Sequence, residues 1–363
     1  MFDYYKILKP ALMSLPAETA HNLAIKTLRN NSLPDQEKFE SDKLRSEVFG
    51  LNFLNPVGLA AGFDKNAECL RALQNQNFGF AEVGTSTPIP QKGNAKPRIF
   101  RLPENQAIIN RLGFNNNGLE VFTQKLRKWK YTTLQNSKMV VGANIGKNKD
   151  SEDFVSDYLK GLEAVYGLCD YVTINISSPN TPGLRELQKK EVLSNLVSEV
   201  IKKRAEMLVN YKGEIPILIK ISPDEEQQTM EDIAEIITSH GIDGIIISNT
   251  TISRPDTLAQ AFAENSQQGG LSGKPLLDLA TAKQEFFYKI SKGKIPIIGV
   301  GGVSSAENAY EKIKRGASLI QIYSALIYEG FGLVNKVNKG LLNLIEADGF
   351  KNISEAVGVE VKF

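Results

Sequence analysis

The sequence predicts an α/β protein, a (β/α)8 TIM barrel preceded by a small helical domain. Eight short apolar runs recur from residue 55 onward, and amphipathic stretches separate them. Near-continuous apolar runs are typical of parallel strands buried on both faces. Most of the runs also end in Gly, Asn, Ser or Lys. Eight such strands alternating with helices match the (β/α)8 barrel.

The predicted strands lie at residues 57–62, 80–84, 139–146, 171–177, 215–222, 244–250, 295–302 and 317–324. The segments between them have helical spacing, as in Phe154, Tyr158, Leu162 and Val165. Ser304 and Glu307 predict a capping box at one helix start. A doubly wound open sheet is the alternative, but it needs fewer strands. The first turn, "GLAAGFDKN", also lacks the G-x-G-x-x-G spacing usual there.

Two segments stand outside the repeat. Residues 86–138 form a long insertion after the second strand, and insertions of this length on a barrel are usually functional. Residues 1–40 form the predicted N-terminal domain, and residues 41–363 form the barrel domain. In the N-terminal piece, Pro10 is expected to kink or divide a first apolar helix, and Pro16 suits the first turn of a second helix. These helices form either a lid on the barrel or a pair lying in a membrane interface.

Composition excludes several classes of function. Apolar residues make up 42% and charged residues 23% of the 363 residues, which is ordinary for a soluble globular protein. The formal net charge of +2 gives no indication of a nucleic-acid partner. Two cysteines and two histidines make a zinc site improbable, and we expect no metal. No apolar run approaches the roughly 20 residues of a membrane span, and no signal peptide is expected.

The predicted strands end in polar residues, which is where barrel enzymes carry their active sites. Asparagine is prominent, with Asn144, Asn175 and Asn249 at three different strand ends. Several Asn amides together suit a planar ligand with amide-like edges, although a single Asn is common in turns. The remaining candidates are Asp64, Lys65, Gly84, Thr85, Ser177, Ser178, Asn180, Lys220, Ser248, Thr250, Tyr323 and Ser324, with Asn110, Arg111 and Asn115 to Asn117 from the insertion.

Two further features indicate the kind of ligand. Gly301 and Gly302 follow the seventh strand, where barrels often bind phosphate through backbone N–H groups. Lys220 lies inside an apolar strand, where a lysine costs free energy unless it is paired or used. It could pair with a buried carboxylate, form a Schiff base, or stabilise negative charge on a reduced cofactor.

The serines of "NISSPN" have no obvious histidine partner. A Ser-His-Asp triad needs an imidazole. His21 belongs to the N-terminal helices, and His240 precedes the sixth strand, at the opposite end of the barrel. A hydrolase triad is therefore not expected. Ser177 and Ser178 either satisfy backbone groups at the turn or have another chemical use.

Four segments carry a specific resemblance: "NISSPNTPGLR" (175–185), "INRLGFNNNG" (109–118), "AAGFDKN" (60–66) and "GVGG…GASLIQIYS". Together they resemble the dihydroorotate dehydrogenases over nearly the whole chain. Within that family, the sequence is most similar to class 2, the membrane-associated and quinone-linked enzymes. Ser178 stands where class 1 has a cysteine, and "PAETAHNLA" at 16–24 resembles the class 2 helical domain.

The resemblance implies an FMN flavoprotein that oxidises (S)-dihydroorotate to orotate in de novo pyrimidine biosynthesis. Ser178 would be the catalytic base, hydride would pass to FMN, and a membrane quinone would reoxidise FMNH2. The implied FMN contacts are Ala61, Gly62, Phe63, Asp64, Lys65, Thr85, Asn144, Asn175, Lys220, Ser248, Gly273, Gly302, Tyr323 and Ser324. The implied substrate contacts are Lys65, Asn110, Arg111, Leu112, Gly113, Phe114, Asn175, Asn180, Asn249 and Thr250.

The resemblance also favours the membrane reading of the N-terminal helices. His21 and Arg101 are the candidate quinone contacts. The resemblance further implies a peripheral protein on the cytoplasmic face of a bacterial cell membrane, or on the mitochondrial inner membrane in a eukaryote. The competing interpretations are a Schiff-base aldolase using Lys220, a non-catalytic barrel docked on a membrane, and a class 1 enzyme using fumarate or NAD.

Overall fold

The structure of the protein is a computed structural model that describes residues 4–133, 139–211, 213–255, 258 and 267–363. Its strands are β1 (Ser46–Val48), β2 (Leu51–Phe53), β3 (Val57–Leu59), β4 (Phe80–Ser86), β5 (Ile99–Leu102), β6 (Ala107–Asn110), β7 (Val140–Ile145), β8 (Tyr171–Asn175), β9 (Ile217–Ile221), β10 (Gly244–Ile247), β11 (Gly270–Gly273), β12 (Ile297–Val300) and β13 (Ala317–Ile322).

Eight of these strands close into a parallel barrel in the order β3-β4-β7-β8-β9-β10-β12-β13. Each coincides with one of the eight apolar runs, so the barrel prediction is confirmed. Nearly every residue of these strands is buried, because the barrel interior covers one face and the surrounding helices cover the other. That two-sided burial explains why the runs are continuously apolar rather than alternating.

The N-terminal end of the barrel is filled and closed. Phe53 and Phe80 meet edge to face inside it, with ring centroids 5.4 Å apart. Gly58 leaves room for the Phe80 ring, since a Cβ there would lie 2.3 Å from it. The antiparallel hairpin of β1 and β2 contributes Val48 and Phe53 to this cluster. Polar groups lie at the opposite end of the barrel, where the strands terminate.

The helices are α1 (Tyr4–Ser14), α2 (Ala17–Arg29), α3 (Leu70–Asn75), α4 (Gly118–Thr133), α5 (Phe154–Val165), α6 (Lys190–Met207), α7 (Gln227–His240), α8 (Leu277–Ile290), α9 (Ala306–Lys314), α10 (Ala325–Glu329) and α11 (Gly332–Ala347). One predicted cap is wrong by a residue. The N-cap of α9 is Ser305, whose Oγ accepts a hydrogen bond from the Asn308 backbone N–H at 3.3 Å. Ser304 instead donates its hydroxyl to the Asn308 side chain.

Helices α1 and α2 form the N-terminal piece, and α1 continues through Pro10 without a break. Of the two outcomes predicted for Pro10, a kink or a division, the division is wrong. A proline inside a helix costs about 3 kcal/mol. Contacts on both sides of Pro10 hold α1: Tyr5 donates to the Ile327 carbonyl at 2.5 Å, and Arg101 donates to the Leu12 carbonyl at 3.0 Å. Within the described ranges, no helix has the length and apolar character needed to cross a membrane.

The long insertion forms an element that the sequence did not predict. Strands β5 and β6 pair antiparallel, and β11, which follows the sixth barrel strand, pairs with β6 to complete a three-stranded sheet. Arg98, just before β5, donates two hydrogen bonds to the carboxylate of Glu18 in α2. The insertion sheet therefore connects the barrel's C-terminal end to the N-terminal helices.

Candidate functional site

One continuous cavity runs from the C-terminal ends of the barrel strands to the N-terminal helices. Its inner part is polar and includes Ser178, Lys220 and Asn249. Its outer part is largely apolar and is lined by Leu12, Met13, Ala17, Ala20 and Ala24 of the first two helices and their connection, together with Phe63, Ile99, Leu326 and Phe331.

Amides and hydroxyls at the ends of β4, β7 and β8 form one hydrogen-bonded group. The Asn175 side-chain amide donates to Thr85 Oγ1 at 3.0 Å and to Asn144 Oδ1 at 3.1 Å. Asn249 donates to Ser177 Oγ at 2.9 Å, and Ser177 donates to Asn175 Oδ1 at the same distance. Because these side chains fix one another, the amides that face the cavity are held before any ligand arrives.

The two adjacent serines have different surroundings. Ser177 is fully buried in the amide network, whereas Ser178 lines the cavity. The Ser178 hydroxyl oxygen accepts the backbone N–H of Asn180 at 3.3 Å. His240, the histidine considered as a partner for these serines, is the last residue of α7 and lies at the end of the barrel where β10 begins, opposite the cavity. The Ser177 hydroxyl thus bonds other side chains of the network, whereas the Ser178 hydroxyl bonds a backbone group of the turn and also lines the cavity.

Lys220 shows one of the three uses left open by the sequence, the pairing with a buried carboxylate. Its ammonium nitrogen lies 3.8 Å from the Glu82 carboxylate, so it has a buried acidic partner. Lys220 also lines the cavity. Burial lowers the pKa of Lys220, and the negative charge of Glu82 opposes that shift. The pairing provides a reason for a lysine in this strand without a Schiff base.

A second lysine, Lys65, lines the same cavity. Burial lowers the pKa of Lys65 to about 8. Its neighbour Asp64 points away from the cavity and accepts the backbone N–H groups of Glu68 and Cys69, at 2.8 and 2.7 Å. Burial raises the pKa of Asp64 to about 6, against the effect of those hydrogen bonds. Asp64 therefore shapes the loop after β3, and Lys65 supplies charge to the cavity.

Gly301 and Gly302, after β12, also line the cavity, with φ angles of +106° and +78°. A Cβ on Gly302 would lie 2.5 Å from Leu277, so only glycine fits between the cavity and α8. Ser324, after β13, donates to the Ser272 hydroxyl at 2.8 Å. The glycine backbone after β12 and the Ser324 hydroxyl after β13 thus lie at the ends of neighbouring strands, with the Ser272 hydroxyl of β11 bonded to Ser324. This arrangement suits a phosphate group.

Two buried acceptor atoms at the cavity have no hydrogen-bond partner within the described part of the chain. They are Thr250 Oγ1 and Gln321 Oε1. Buried polar groups are rarely left unpaired. A ligand that carries N–H donors would satisfy both.

The candidate quinone residues lie in the outer part of the cavity. The His21 ring stands edge-on to Phe63, with centroids 5.3 Å apart, and burial lowers its pKa to about 3. His21 is therefore a neutral, partly buried residue rather than a helix-surface histidine. Arg101 also lines the cavity, but its guanidinium donates to the carbonyls of Leu12 and Leu15 near the end of α1.

The cavity brings together all but three of the contact residues implied by the resemblance, the exceptions being Asp64, Asn144 and Arg111. Of the other strand-end and insertion candidates, Gly84, Ser177 and Asn115 to Asn117 do not line it. Asp64 and Asn144 contact residues beside the cavity instead. Arg111 is directed outward, stacks over the Phe100 ring at 4.8 Å and donates to the Gln267 side chain at 3.0 Å. The predicted contact of Arg111 with a ligand is not evident from this geometry.

A family model described as dihydroorotate dehydrogenase matches residues 43–345, which is most of the chain. The chain belongs to the dihydroorotate dehydrogenase family. It is thus an oxidoreductase of that family, and the resemblance given by the motifs is confirmed. The aldolase and the non-catalytic barrel lose their support, because neither accounts for a match over the whole barrel.

Individual members of the family are similar to this chain over nine tenths or more of their own length. The dihydroorotate dehydrogenase (quinone) of Xanthobacter autotrophicus is 46% identical over 361 residues, covering 99% of this chain and 100% of that protein. The mitochondrial dihydroorotate dehydrogenase (quinone) of Mus musculus is also 46% identical, covering 98% and 90%. A solved structure of the Eimeria tenella enzyme in complex with ferulenol superposes with a TM-score of 0.90 at 37% identity, covering 94% and 95%.

Sequence reasoning missed two charged residues of this dihydroorotate dehydrogenase family site. Glu82 lies in the strand "FAEVG", and nothing in its local pattern distinguishes it from a solvent-facing residue. Arg185 ends the motif "NTPGLR"; it donates to the carbonyls of Ser177 and Thr250 and pairs with Asp224 at 2.9 Å. For Arg185, a charge at the end of the motif was the available signal; Glu82 offered none.

Proposed function

We propose that the protein oxidises (S)-dihydroorotate to orotate with FMN as cofactor and a quinone as electron acceptor, a step of de novo pyrimidine biosynthesis. The observation that carries the proposal is the single cavity in which Ser178, Lys65 and the amide network meet an apolar opening between helices. Family membership supports it, as do the quinone enzymes among the relatives.

The cavity fits FMN on the observations above. Gln321 Oε1 is an unpaired buried acceptor for a ring N–H, and Gly302 with Ser324 offers a place for the phosphate. Lys220 brings a positive charge to the same cavity. The residues that would hold FMN are Ala61, Gly62, Phe63, Lys65, Thr85, Asn175, Lys220, Ser248, Gly273, Gly302, Tyr323 and Ser324, with Asp64 and Asn144 supporting them from behind.

FMN, when bound, supplies a ring that accepts hydride from the substrate and passes electrons on to a quinone. The residues of the chain bind and orient the substrate. Asn110, Asn180 and Asn249 offer both donors and acceptors to its amide edges, and Thr250 Oγ1 is a buried acceptor without a partner. Lys65, with Asn175, Leu112, Gly113 and Phe114, completes the proposed substrate contacts.

Ser178 is proposed as the general base that takes the proton from C5 of dihydroorotate. A serine hydroxyl is a weak base, so the site must stabilise the negative charge that develops on the substrate. The cation of Lys65 and the fixed amide dipoles around Asn175 do this in a cavity largely shielded from water. Their mutual hydrogen bonds mean that little reorganisation is needed during the reaction.

The outer part of the cavity is proposed as the quinone site. Its lining by Ala17, Ala20 and Ala24 suits an apolar ring and tail. The neutral His21 ring can donate to or accept from a quinone oxygen. Arg101 holds α1 through backbone carbonyls, so its proposed quinone contact would be additional to that structural role.

The N-terminal helices are proposed to form a separate unit, residues 1–40, that rests on a membrane beside the barrel, residues 41–363. Three apolar side chains on the two helices are well exposed: Ile7 (64%), Leu8 (51%) and Leu23 (44%). Exposed apolar side chains on amphipathic helices bind the membrane interface. The proposed location is the cytoplasmic face of a bacterial cell membrane, or the mitochondrial inner membrane in a eukaryote.

Replacing Ile7 and Leu8 by aspartate should weaken binding to phospholipid vesicles at least tenfold in co-sedimentation, because two apolar anchors become charges. Reduction of the bound flavin by dihydroorotate should be unchanged. Val209→Asp is the control, since Val209 is 85% exposed at the C-terminal end of α6, away from these helices. Equal vesicle binding by the double variant and the wild type would contradict the membrane role.

A pH dependence follows from the Lys65 pKa of about 8. Below that pH the lysine is charged and attracts the carboxylate of orotate; above it the charge is lost. The dissociation constant for orotate, followed through the flavin spectrum, should therefore rise as pH increases through about 8, by up to tenfold per pH unit. Lys65→Met should bind more weakly and without this rise. A rise that persists in Lys65→Met would assign the titration to another group.

The visible absorption spectrum of the purified protein, before and after anaerobic addition of dihydroorotate, tests the proposed function. We expect flavin bands that bleach on addition. Flavin bands that remain unchanged would retain the flavoprotein and discard the substrate. A colourless protein that cannot be reconstituted with FMN would overturn the proposal.

A further inference from the structure

Glu82 is a carboxylate buried completely inside the barrel, on β4. It is not among the residues that line the cavity. Its two oxygens receive four hydrogen bonds: from the Asn144 amide at 2.7 Å, the Gln321 amide at 3.0 Å, the Tyr171 hydroxyl at 3.2 Å and the Thr173 hydroxyl at 3.3 Å. Lys220 adds an ion pair at 3.8 Å.

Stability alone does not account for this group. Removing two charges from water costs free energy that their attraction often only just offsets, so apolar residues of similar size are commonly as stabilising. Four further strands contribute partners to Glu82: β7, β8, β9 and β13. Hydrogen bonds from several strands to one carboxylate fix the orientation of the groups that donate them. Two of them, Lys220 and Gln321, line the cavity directly.

We propose that Glu82 is a positioning residue that acts on bound flavin through Lys220, by keeping its ammonium group charged and in place at the cavity. The proposal rests on the proposed FMN function. Glu82 does not need to touch the cofactor. Glu82 also accepts a hydrogen bond from Asn144. Asn144 in turn accepts hydrogen bonds from Thr85 and Asn175, which line the same cavity, so Glu82 helps to fix the amide network.

The charges around Lys220 determine the direction in which its pKa should change when Glu82 is replaced. Burial alone lowers the pKa of Lys220, and Glu82 is the group that raises it. The other titratable group in contact with Glu82 is Tyr171, whose pKa burial raises well above its ordinary value, so it stays neutral. Without the carboxylate, Lys220 should lose its proton at a lower pH. Flavin reduction would then take up an additional proton at Lys220.

The test is the midpoint potential of the bound flavin in Glu82→Gln, measured by spectroelectrochemistry from pH 6 to pH 9. Glutamine keeps the size and most of the hydrogen-bonding capacity of the glutamate. We expect a higher potential than the wild type at pH 6, because a negative charge is removed while Lys220 remains charged. The potential should then fall more steeply with pH than the wild-type potential does.

Two further variants separate the possible causes. Tyr171→Phe removes one hydrogen bond to the same carboxylate and leaves both charges, so the slope of its midpoint potential against pH should match that of the wild type. The double variant Glu82→Gln/Lys220→Met has no buried charge at either position. The slope of its potential against pH should therefore also return to that of the wild type. The proposal would be overturned if the potential of Glu82→Gln fell with pH at the same slope as the wild-type potential, or if a steeper slope persisted in the double variant.

The outcomes distinguish this inference from the proposed function. A wild-type protein that binds no flavin would remove the proposed function first. If Glu82→Gln fails to fold, Glu82→Asp provides the same test, because its shorter side chain withdraws the charge from Lys220. Its potential should fall more steeply with pH than the wild-type potential does, and an unchanged slope would count against the inference.

Discussion

Replacing Ser178 by alanine should slow reduction of the bound flavin by dihydroorotate by about 10²–10⁴-fold, the usual contribution of a general base. Ser178 lines the cavity, and within the part of the chain that the structure describes its hydroxyl accepts one hydrogen bond, from the Asn180 backbone at 3.3 Å, so the substitution disturbs little structure. Flavin content and the unfolding temperature should stay close to those of the wild type. Stopped-flow absorbance under anaerobic conditions measures the rate directly.

Ser177→Ala is the matched comparison, since the same chemical change is made one residue away. Ser177 is buried within the amide network and bonds Asn175 and Asn249. Its loss should weaken substrate binding and stability while leaving most of the rate of flavin reduction at saturating dihydroorotate. If Ser177→Ala slowed that step as much as Ser178→Ala did, the assignment of the base would be wrong.

Replacing Ala20 by tryptophan should abolish most quinone turnover while flavin reduction by dihydroorotate continues at the wild-type rate. Ala20 lies on α2 and lines the outer part of the cavity, where an indole would fill the space between the helices and Phe63. The two half-reactions are measured separately, with anaerobic dihydroorotate for one and a soluble quinone for the other. We expect at least a tenfold rise in KM for the quinone.

Ala11→Trp is the control, because Ala11 is exposed on α1 and does not line the cavity. It should leave both half-reactions unchanged. A wild-type KM for quinone in Ala20→Trp, with the same flavin reduction rate, would show that quinone reaches the flavin by another route.

The barrel was predictable because its strands are buried on both faces and therefore read as continuous apolar runs. The insertion sheet was not, because its strands have four residues each and β11 joins β6 from about 160 positions away. Pro10 misled the helix prediction, since contacts of Tyr5 and Arg101 with neighbouring elements outweigh a local preference. Such tertiary contacts cannot be read from a local pattern.

The site was predictable to the extent that its residues lie at strand ends. Asn175, Ser178 and Lys220 follow this rule, and so do the glycines after β12. Glu82 does not, because it sits in the middle of a strand, and its importance depends on the partners that four other strands bring to it. The outward direction of Arg111 was equally invisible, since it depends on the insertion sheet and on Gln267.

The attachment of α1 has a mechanical consequence. Its outer side carries the exposed Ile7 and Leu8, while Tyr5 and the carbonyls of Leu12 and Leu15 are tied to Ile327 and Arg101, which belong to the cavity wall. A displacement of α1 is therefore transmitted through these links to the wall of the outer part of the cavity. The width of that part of the cavity depends on where α1 is held.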